Sequence, residues 1–152
     1  MKLHRLQYEQ ILPLDPEQAW SFFSSPENLC RITPSWLCFD IIHQDSACMY
    51  AGMIFQYRIK AVAGLPMTWV TEITRADPPF FFVDEQRMGP YLFWHHQHHF
   101  QPVNKQTRMT DTVHYALPYD PFSRPLHAFL VKPRLKQIFA FRQAALKEIF
   151  PA

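Results

Sequence analysis

The sequence has few of the residues that form nucleotide-binding and acyl-transfer sites. Its 152 residues include only 3 glycines, too few for a glycine-rich phosphate-binding loop. It also contains no GxSxG motif and no catalytic Cys/His signature. These absences argue against ATP, NAD and acyl-enzyme chemistry.

Cysteine and long apolar runs are also scarce. Cys30, Cys38 and Cys48 form no CxxC pair, and their odd number leaves one unpaired in any disulfide scheme. This pattern fits a reducing cytosol, where we expect the three thiols to be small buried residues. The N-terminal segment "MKLHRLQYEQ" lacks the apolar core of a signal peptide, and no run approaches the roughly 20 apolar residues that span a bilayer. We therefore expect a cytoplasmic protein with no stable membrane insertion.

Charge of one sign is scarce, whereas aromatic residues are abundant. The formal net charge is only +2, and its basic residues are scattered apart from Lys132, Arg134 and Lys136, so no nucleic-acid footprint is evident. Hydrophobic residues make up 48% of the chain, with 14 Phe and 4 Trp, which is more than a minimal core of this size needs. We expect one domain over residues 1–152, with part of this apolar surface lining a cavity.

The order of predicted elements is typical of an α+β fold. Asp15 with Pro16 and Gln18 forms a capping box, and Ser25 with Pro26 repeats the pattern, which predicts two short helices after the first strand. A long helical pattern covers residues 125–150, and Pro133 should kink or restart it. Alternation and turn residues predict seven strands, at 3–12, 36–43, 52–61, 66–76, 79–87, 91–101 and 107–117.

The element order and four segments together resemble the START-like or helix-grip superfamily, which includes the Bet v 1-like proteins and the small bacterial SRPBCC, or polyketide-cyclase-like, proteins. The segments are "LPLDPEQAWSFFSSPENLCRITPSWLCFDI" (12–41), "WVTEIT" (69–74), "FVDEQRMGPYLFWHHQHHF" (82–100) and "TDTVHYALP" (110–118). The resemblance implies a seven-stranded curved antiparallel sheet wrapped around the C-terminal helix, with an internal cavity. A glycine-rich hairpin expected in this subgroup is here "NKQT" (104–107). No particular reaction is implied, because the superfamily contains carriers, cyclases and sensors.

The histidine-rich segment "WHHQHH" (94–99) reads as part of a strand with two different faces. Because side chains alternate along a strand, Trp94, His96, His98 and Phe100 share one face, while His95 and His99 lie on the other. We interpret the first face as directed into the pocket and the second as exposed to water.

The next predicted strand carries one polar exception on its apolar face, Asp111. If residues 103–106 form the loop, pairing Pro102 with Thr107 places His98 opposite Asp111. Such a pair satisfies a buried carboxylate, and it could also leave one imidazole nitrogen for a ligand or for proton transfer. Both interpretations remain open from the sequence.

A metal site is the alternative interpretation of the histidines. His96 and His98 could bind zinc together, with Asp111 or Glu85 as a third ligand. No cysteine pair, HExxH motif or second histidine cluster supplies further ligands. We therefore predict neither a metal nor any other cofactor.

Two further charged positions are ambiguous. In "PFFFVDEQR" (79–87) either Asp84 or Glu85 could face inward and act as an acid or base, or serve only as a strand-end residue. Arg142 falls within the apolar stripe of the terminal helix, where it could pair with a carboxylate of the sheet, bind a ligand carboxylate, or extend its charge to an edge.

The function predicted from these features is the binding of a small, largely hydrophobic molecule by a monomer or homodimer. The alternative is a cofactor-independent cyclase or dehydratase of polyketide-like or aromatic substrates, with His98 and Asp111 as candidate catalytic residues. A third hypothesis places residues 129–136 against an anionic membrane surface. The predicted ligand contacts are Trp94, His96, His98, Phe100, Asp111, Tyr115, Phe139 and Arg142.

Overall fold

The computed structural model describes residues 1–62 and 64–152 of the chain. In order, the elements are β1 (His4–Leu12), α1 (Pro16–Phe23), α2 (Pro26–Arg31), β2 (Asp40–Gln44), β3 (Ile54–Val62), β4 (Leu65–Asp77), β5 (Phe81–Met88), β6 (Phe93–Val103), β7 (Gln106–Ala116), α3 (Arg124–Leu126) and α4 (Lys132–Ile149). The seven-stranded sheet has the order β1-β7-β6-β5-β4-β3-β2, and each neighbouring pair of strands is antiparallel. The α+β helix-grip fold predicted from the sequence is therefore confirmed.

The first helix begins where the capping residues predict. The Asp15 carboxylate accepts a hydrogen bond from the Gln18 backbone N–H at 2.8 Å, and the Gln18 side chain accepts one from the Asp15 backbone at 3.1 Å. At α2 the prediction is only half right, because Pro26 opens the helix but the Ser25 hydroxyl bonds the Glu27 carboxylate instead of the backbone.

Two local predictions in residues 30–48 are wrong. The strand expected at 36–43 begins only at Asp40, because Ser35–Leu37 form a 3₁₀ turn and Cys38 has a left-handed backbone with φ of 49°. Cys30, Cys38 and Cys48 are free thiols, and all are exposed rather than buried. Cys30 is on the exposed side of the short helix α2, and Cys38 and Cys48 lie in irregular segments that leave their side chains in water.

The terminal helix restarts at its proline, as predicted. Residues His127–Val131 form a π-helical turn, and α4 then begins at Lys132 with Pro133 in its first turn. There the missing proline N–H costs no helical hydrogen bond. Among residues 1–62 and 64–152, none of the helices could span a membrane.

The buried face of α4 packs on the sheet. Leu135 and Phe139 contact Val113 and Leu117 of the β7 segment, whereas Leu146 joins a second cluster with Phe22 of α1. Burying each of these large side chains stabilises the fold by about 1.5–3 kcal/mol. Part of the curved sheet stands away from α4, and this separation creates the cavity described next.

Candidate ligand-binding site

A cavity of about 200 Å³ lies between the sheet, α4 and the two short helices. Its wall is mostly apolar, with contributions from α1, α2, α4 and strands β2 to β6. The apolar residues that line it include Phe22, Leu29, Ile32, Leu37, Phe55, Ile59, Trp69, Ile73, Phe82, Leu135, Ile138 and Phe139. Such a surface suits an apolar molecule.

One patch of this wall is polar. Asp84 of β5, His96 and His98 of β6 and Arg142 of α4 line the cavity together. The strand pairing brings the first two together, because Asp84 is the direct partner of His96. His96 is only 4% exposed and His98 only 5%, so this patch is removed from bulk water.

The β6–β7 register predicted from the sequence is confirmed. Pro102 pairs with Thr107 and His98 with Asp111. Asp111 lies behind the histidine rings rather than on the cavity wall, and its Oδ1 is 2.9 Å from His96 Nε2 and 2.9 Å from His98 Nδ1. The His96 contact is an aligned hydrogen bond. The His98 contact is off the N–H direction, so we treat it as an ion pair.

Asp84 completes the cluster on the cavity side. Its Oδ2 accepts a hydrogen bond from His98 Nε2 at 2.6 Å and lies 3.4 Å from His96 Nδ1. The two imidazole rings pack together with centroids 3.8 Å apart. Each histidine therefore lies between two carboxylates, one toward the cavity and one behind it.

The surroundings shift the pKa values of the two histidines in opposite directions. Burial lowers the pKa of His96, and the charge of His98 lowers it further, so His96 is held neutral. Burial also opposes charge on His98, but its contacts with Asp111 and Asp84 outweigh burial and raise its pKa. The pair thus places an imidazole that resists protonation beside one that is protonated more readily.

The two aspartates remain ionised despite burial. Burial raises the pKa of Asp111, but its contacts with His96 and His98 and the charge of Arg142 leave it well below its usual value. The pKa of Asp84 is lowered in the same way, with burial opposed most strongly by His96 and then by His98. Both carboxylates therefore stay negative beside Arg142 and the two histidines.

Three of these residues also meet the distance requirement for a metal site. Asp84, His96 and His98 each offer one ligand atom, all within 4.8 Å of one another. Tetrahedral zinc bonds of about 2.0–2.1 Å place two ligand atoms roughly 3.3 Å apart. The 2.6 Å between His98 Nε2 and Asp84 Oδ2 is instead a hydrogen-bond distance. The cluster is arranged for hydrogen bonding, and the absence of a metal stays a prediction.

The structure resolves the ambiguity of β5. Phe82, Asp84 and Gln86 face the cavity side, while Glu85 lies on the outer face and contacts His95 Nδ1 at 2.8 Å. His99 is exposed, as expected. Glu85 is therefore not available to the buried histidines.

Besides Asp111, two predicted pocket residues lie away from the cavity wall. Phe100 is in the core, where its ring contacts those of Trp20 and Phe23 of α1. Tyr115 is covered by the chain before α4, and its hydroxyl bonds His127 Nε2 at 2.8 Å. Both are 1% exposed, and neither lines the cavity. Trp94 and Phe139 do line it.

Gln86 has a positioning role that the sequence analysis missed. Its side-chain amide donates to the Tyr91 carbonyl at 2.6 Å and accepts from the Tyr91 N–H at 3.1 Å. This pair holds the Tyr91 ring over the cavity, against Trp69 and Trp94. The sequence signal for this role was the position of Gln86, which lies two residues after Asp84 and shortly before a Gly-Pro turn.

A curved antiparallel sheet that encloses a cavity against a long C-terminal helix defines a class of ligand-binding and cyclase-like proteins. The family model described as "Polyketide cyclase / dehydrase and lipid transport" matches residues 12–147. The chain belongs to this family. Membership suggests hydrophobic ligand binding or a polyketide-cyclase-like fold. No curated protein matches the chain.

Solved structures agree with this fold assignment. TTHA0849 from Thermus thermophilus is similar with a TM-score of 0.68 and 16% identity, covering 95% of each chain. A protein from Arthrobacter aurescens has a TM-score of 0.70 and 13% identity, covering 95% of this chain and 86% of its own. The major latex-like protein 151 from Panax ginseng has a TM-score of 0.58 and 14% identity, covering 93% and 96%. At these identities the similarity concerns the fold alone.

Proposed function

We propose that this protein binds a small, largely hydrophobic molecule in the cavity between its sheet and α4. The observation that carries the proposal is the apolar cavity of about 200 Å³, into which a compact cluster of buried polar groups is built. Trp94, His96, His98, Phe139 and Arg142 are the proposed ligand contacts, and Asp111 orients the two imidazoles from behind. A cytoplasmic location and the absence of a cofactor belong to the same proposal.

A neutral fluorescent probe tests this proposal. N-phenyl-1-naphthylamine should bind one site per chain with a saturable rise in fluorescence. Ile138→Trp should abolish this binding, because Ile138 lines the cavity from α4 and a tryptophan there fills the space. Gln137→Trp is the matched control, since Gln137 is exposed on the same helix. Equal binding by both variants would place the probe outside the cavity and refute the proposal.

Native mass spectrometry of freshly purified protein is the companion measurement. We expect an organic mass of a few hundred daltons or less, lost on denaturation. An organic adduct retained by Ile138→Trp as fully as by the wild type would contradict the cavity as its site.

A second candidate function is catalysis of a cyclisation or dehydration without a cofactor. The specific observation in its favour is the contact at the cavity wall between His96, whose pKa is lowered, and His98, whose pKa is raised, because a neutral imidazole can accept a proton and a protonated one can donate it. Turnover of an aromatic polyketide-like substrate should depend on pH and vanish in His98→Ala, with folding checked by circular dichroism. Turnover that survives this substitution would leave the protein a carrier.

A further inference from the structure

The guanidinium of Arg142 is buried at the cavity wall with unused hydrogen-bond donors. Arg142 is 8% exposed, and its Nε and Nη1 atoms are buried without a hydrogen-bond partner among the described residues. A guanidinium stays charged in a protein and carries five N–H donors. Leaving such donors unpaired in the interior is costly, so their position indicates a partner that enters the cavity.

The carboxylates of the protein do not fill this role. Asp111 Oδ1 is 3.6 Å from Arg142 Nη1, which is an ion-pair distance but too long for a hydrogen bond. That oxygen already accepts from His96 and lies against His98. Asp84 accepts from His98. The histidines therefore engage both carboxylates, and Arg142 retains its free donors.

The surroundings of Arg142 restrict the kind of molecule that could meet it. The guanidinium carbon lies 5.2 Å from the centre of the Phe139 ring, so one side of the group is already covered by an aromatic face. The rest of the wall is mostly apolar, and the volume of about 200 Å³ is below the roughly 300–1,000 Å³ of pockets for drug-sized ligands. An occupant needs a short apolar body with an oxygen anion at one end.

The charges of the buried cluster restrict which anions the cavity can bind. Asp84 and Asp111 already place two negative charges beside Arg142 and the histidines, so an anion adds further negative charge to a buried cluster. A monoanion adds one charge, which an imidazole can offset by taking up a proton, whereas a phosphate dianion adds up to two beside two carboxylates. The geometry and the charge count both favour a carboxylate, whose two oxygens also match the donor spacing of a guanidinium.

We propose that the cavity selects compact apolar monocarboxylates, with the carboxylate bound by the free N–H groups of Arg142 and the apolar body against the aromatic wall. This inference rests on the proposed ligand-binding function and names its substrate class.

Two ring-matched probes test it: 1-naphthoic acid, ionised at neutral pH, and its neutral primary amide, 1-naphthamide. Calorimetric titration of the wild type should show binding of the acid roughly 10- to 100-fold tighter than the amide, the range for a charge-assisted hydrogen bond. Arg142→Met should bring the two affinities to within about two-fold of each other. Lys136→Met removes the same charge from an exposed position of α4 and should preserve the preference for the acid.

Additional variants separate folding from recognition. If Arg142→Met does not fold, Asp111→Asn combined with Arg142→Met removes both members of the ion pair, and Arg142→Lys keeps the charge without the planar fork. Each folded variant should show a weakened preference for the acid. Arg134 also lines the cavity but is exposed and lies over the Trp36 ring. Loss of the preference in Arg134→Met, with retention in the Arg142 variants, would overturn the assignment.

The neutral probe distinguishes the two possible failures. If N-phenyl-1-naphthylamine binds in the cavity but acid and amide bind equally to the wild type, the inference about Arg142 is wrong and the proposed function stands. If neither the neutral probe nor the naphthoate pair binds, the ligand-binding proposal itself is wrong and this inference falls with it.

Discussion

At the scale of single residues, the buried cluster is an electrostatic network whose members depend on one another. Asp111 has three cationic or hydrogen-bonding neighbours, His96, His98 and Arg142. Removing one member of such a buried pairing leaves a charge uncompensated and typically costs about 3–5 kcal/mol. The network therefore constrains both stability and its dependence on pH.

The lowered pKa of Asp111 predicts a loss of stability in acid. A carboxyl whose folded pKa lies below its unfolded value stabilises the fold above the unfolded pKa and loses that contribution as pH falls toward the folded pKa. The free energy of unfolding should therefore decrease between about pH 5 and pH 3. Asp111→Asn should be less stable at neutral pH, and its stability should decrease less steeply in acid, as measured by urea unfolding at each pH.

The control for this prediction is Asp40→Asn, at an exposed position of β2, which should keep the pH dependence of the wild type. The same acid slope in Asp111→Asn and the wild type would show that Asp111 does not carry the effect.

Because Asp84, His96 and His98 contact one another at hydrogen-bond and ion-pair distances, we predict that metal chelators change neither the stability of the protein nor its ligand binding. Dialysis against EDTA should leave both the unfolding temperature and the affinity for N-phenyl-1-naphthylamine unchanged, because no ion is needed to hold these groups together. A zinc-sized mass in native spectra, lost together with stability on EDTA treatment and absent in His96→Ala, would contradict this prediction.

At the scale of elements, the β6–β7 hairpin shows how the register is maintained without glycine. Its turn consists of Asn104 and Lys105, with φ of 49° and 64°. Positive φ at both central positions matches the twist of a hairpin. Asparagine tolerates this conformation, whereas lysine adopts it at a cost. The turn that sets His98 opposite Asp111 therefore requires a strained backbone at Lys105.

Lys105→Gly should relieve this strain and stabilise the protein by roughly 0.5–1 kcal/mol, since glycine adopts positive φ freely. Ala140→Gly, at an exposed position in the middle of α4, should instead destabilise it by about 1 kcal/mol, because glycine weakens a helix interior. Urea unfolding of the two variants beside the wild type measures both effects. Destabilisation by both substitutions would refute the strain argument.

At the scale of the whole molecule, the cavity links ligand binding to stability. A ligand that binds only the folded state at about 100 times its dissociation constant adds about 2.7 kcal/mol to the unfolding free energy. For a domain of 152 residues this corresponds to a rise of roughly 5–10 °C in the unfolding temperature. Saturating N-phenyl-1-naphthylamine should raise the wild type by such an amount in a thermal scan and leave Ile138→Trp unchanged.

Much of the fold and part of the site could be predicted from local patterns. The capping residues of α1, the restart of α4 at Pro133 and the alternation along β6 and β7 depend on neighbours in sequence. The short loop after Val103 then determines the His98–Asp111 pairing, because shifting the register by one residue would turn every side chain to the other face. Local periodicity and loop length were therefore sufficient to predict the helix starts, the strand faces and the β6–β7 register.

Only the tertiary structure decided which inward-facing residues reach the cavity. Phe100 and Tyr115 share the inward faces of their strands with His96 and Asp111, yet α1 covers the first and the segment before α4 covers the second. Asp84 joins the histidines through the β5–β6 pairing. Arg142 joins them because α4 crosses the sheet at that point. Alternation assigns a side chain to a face, but long-range packing determines what lies against it, and that information is spread over elements distant in sequence.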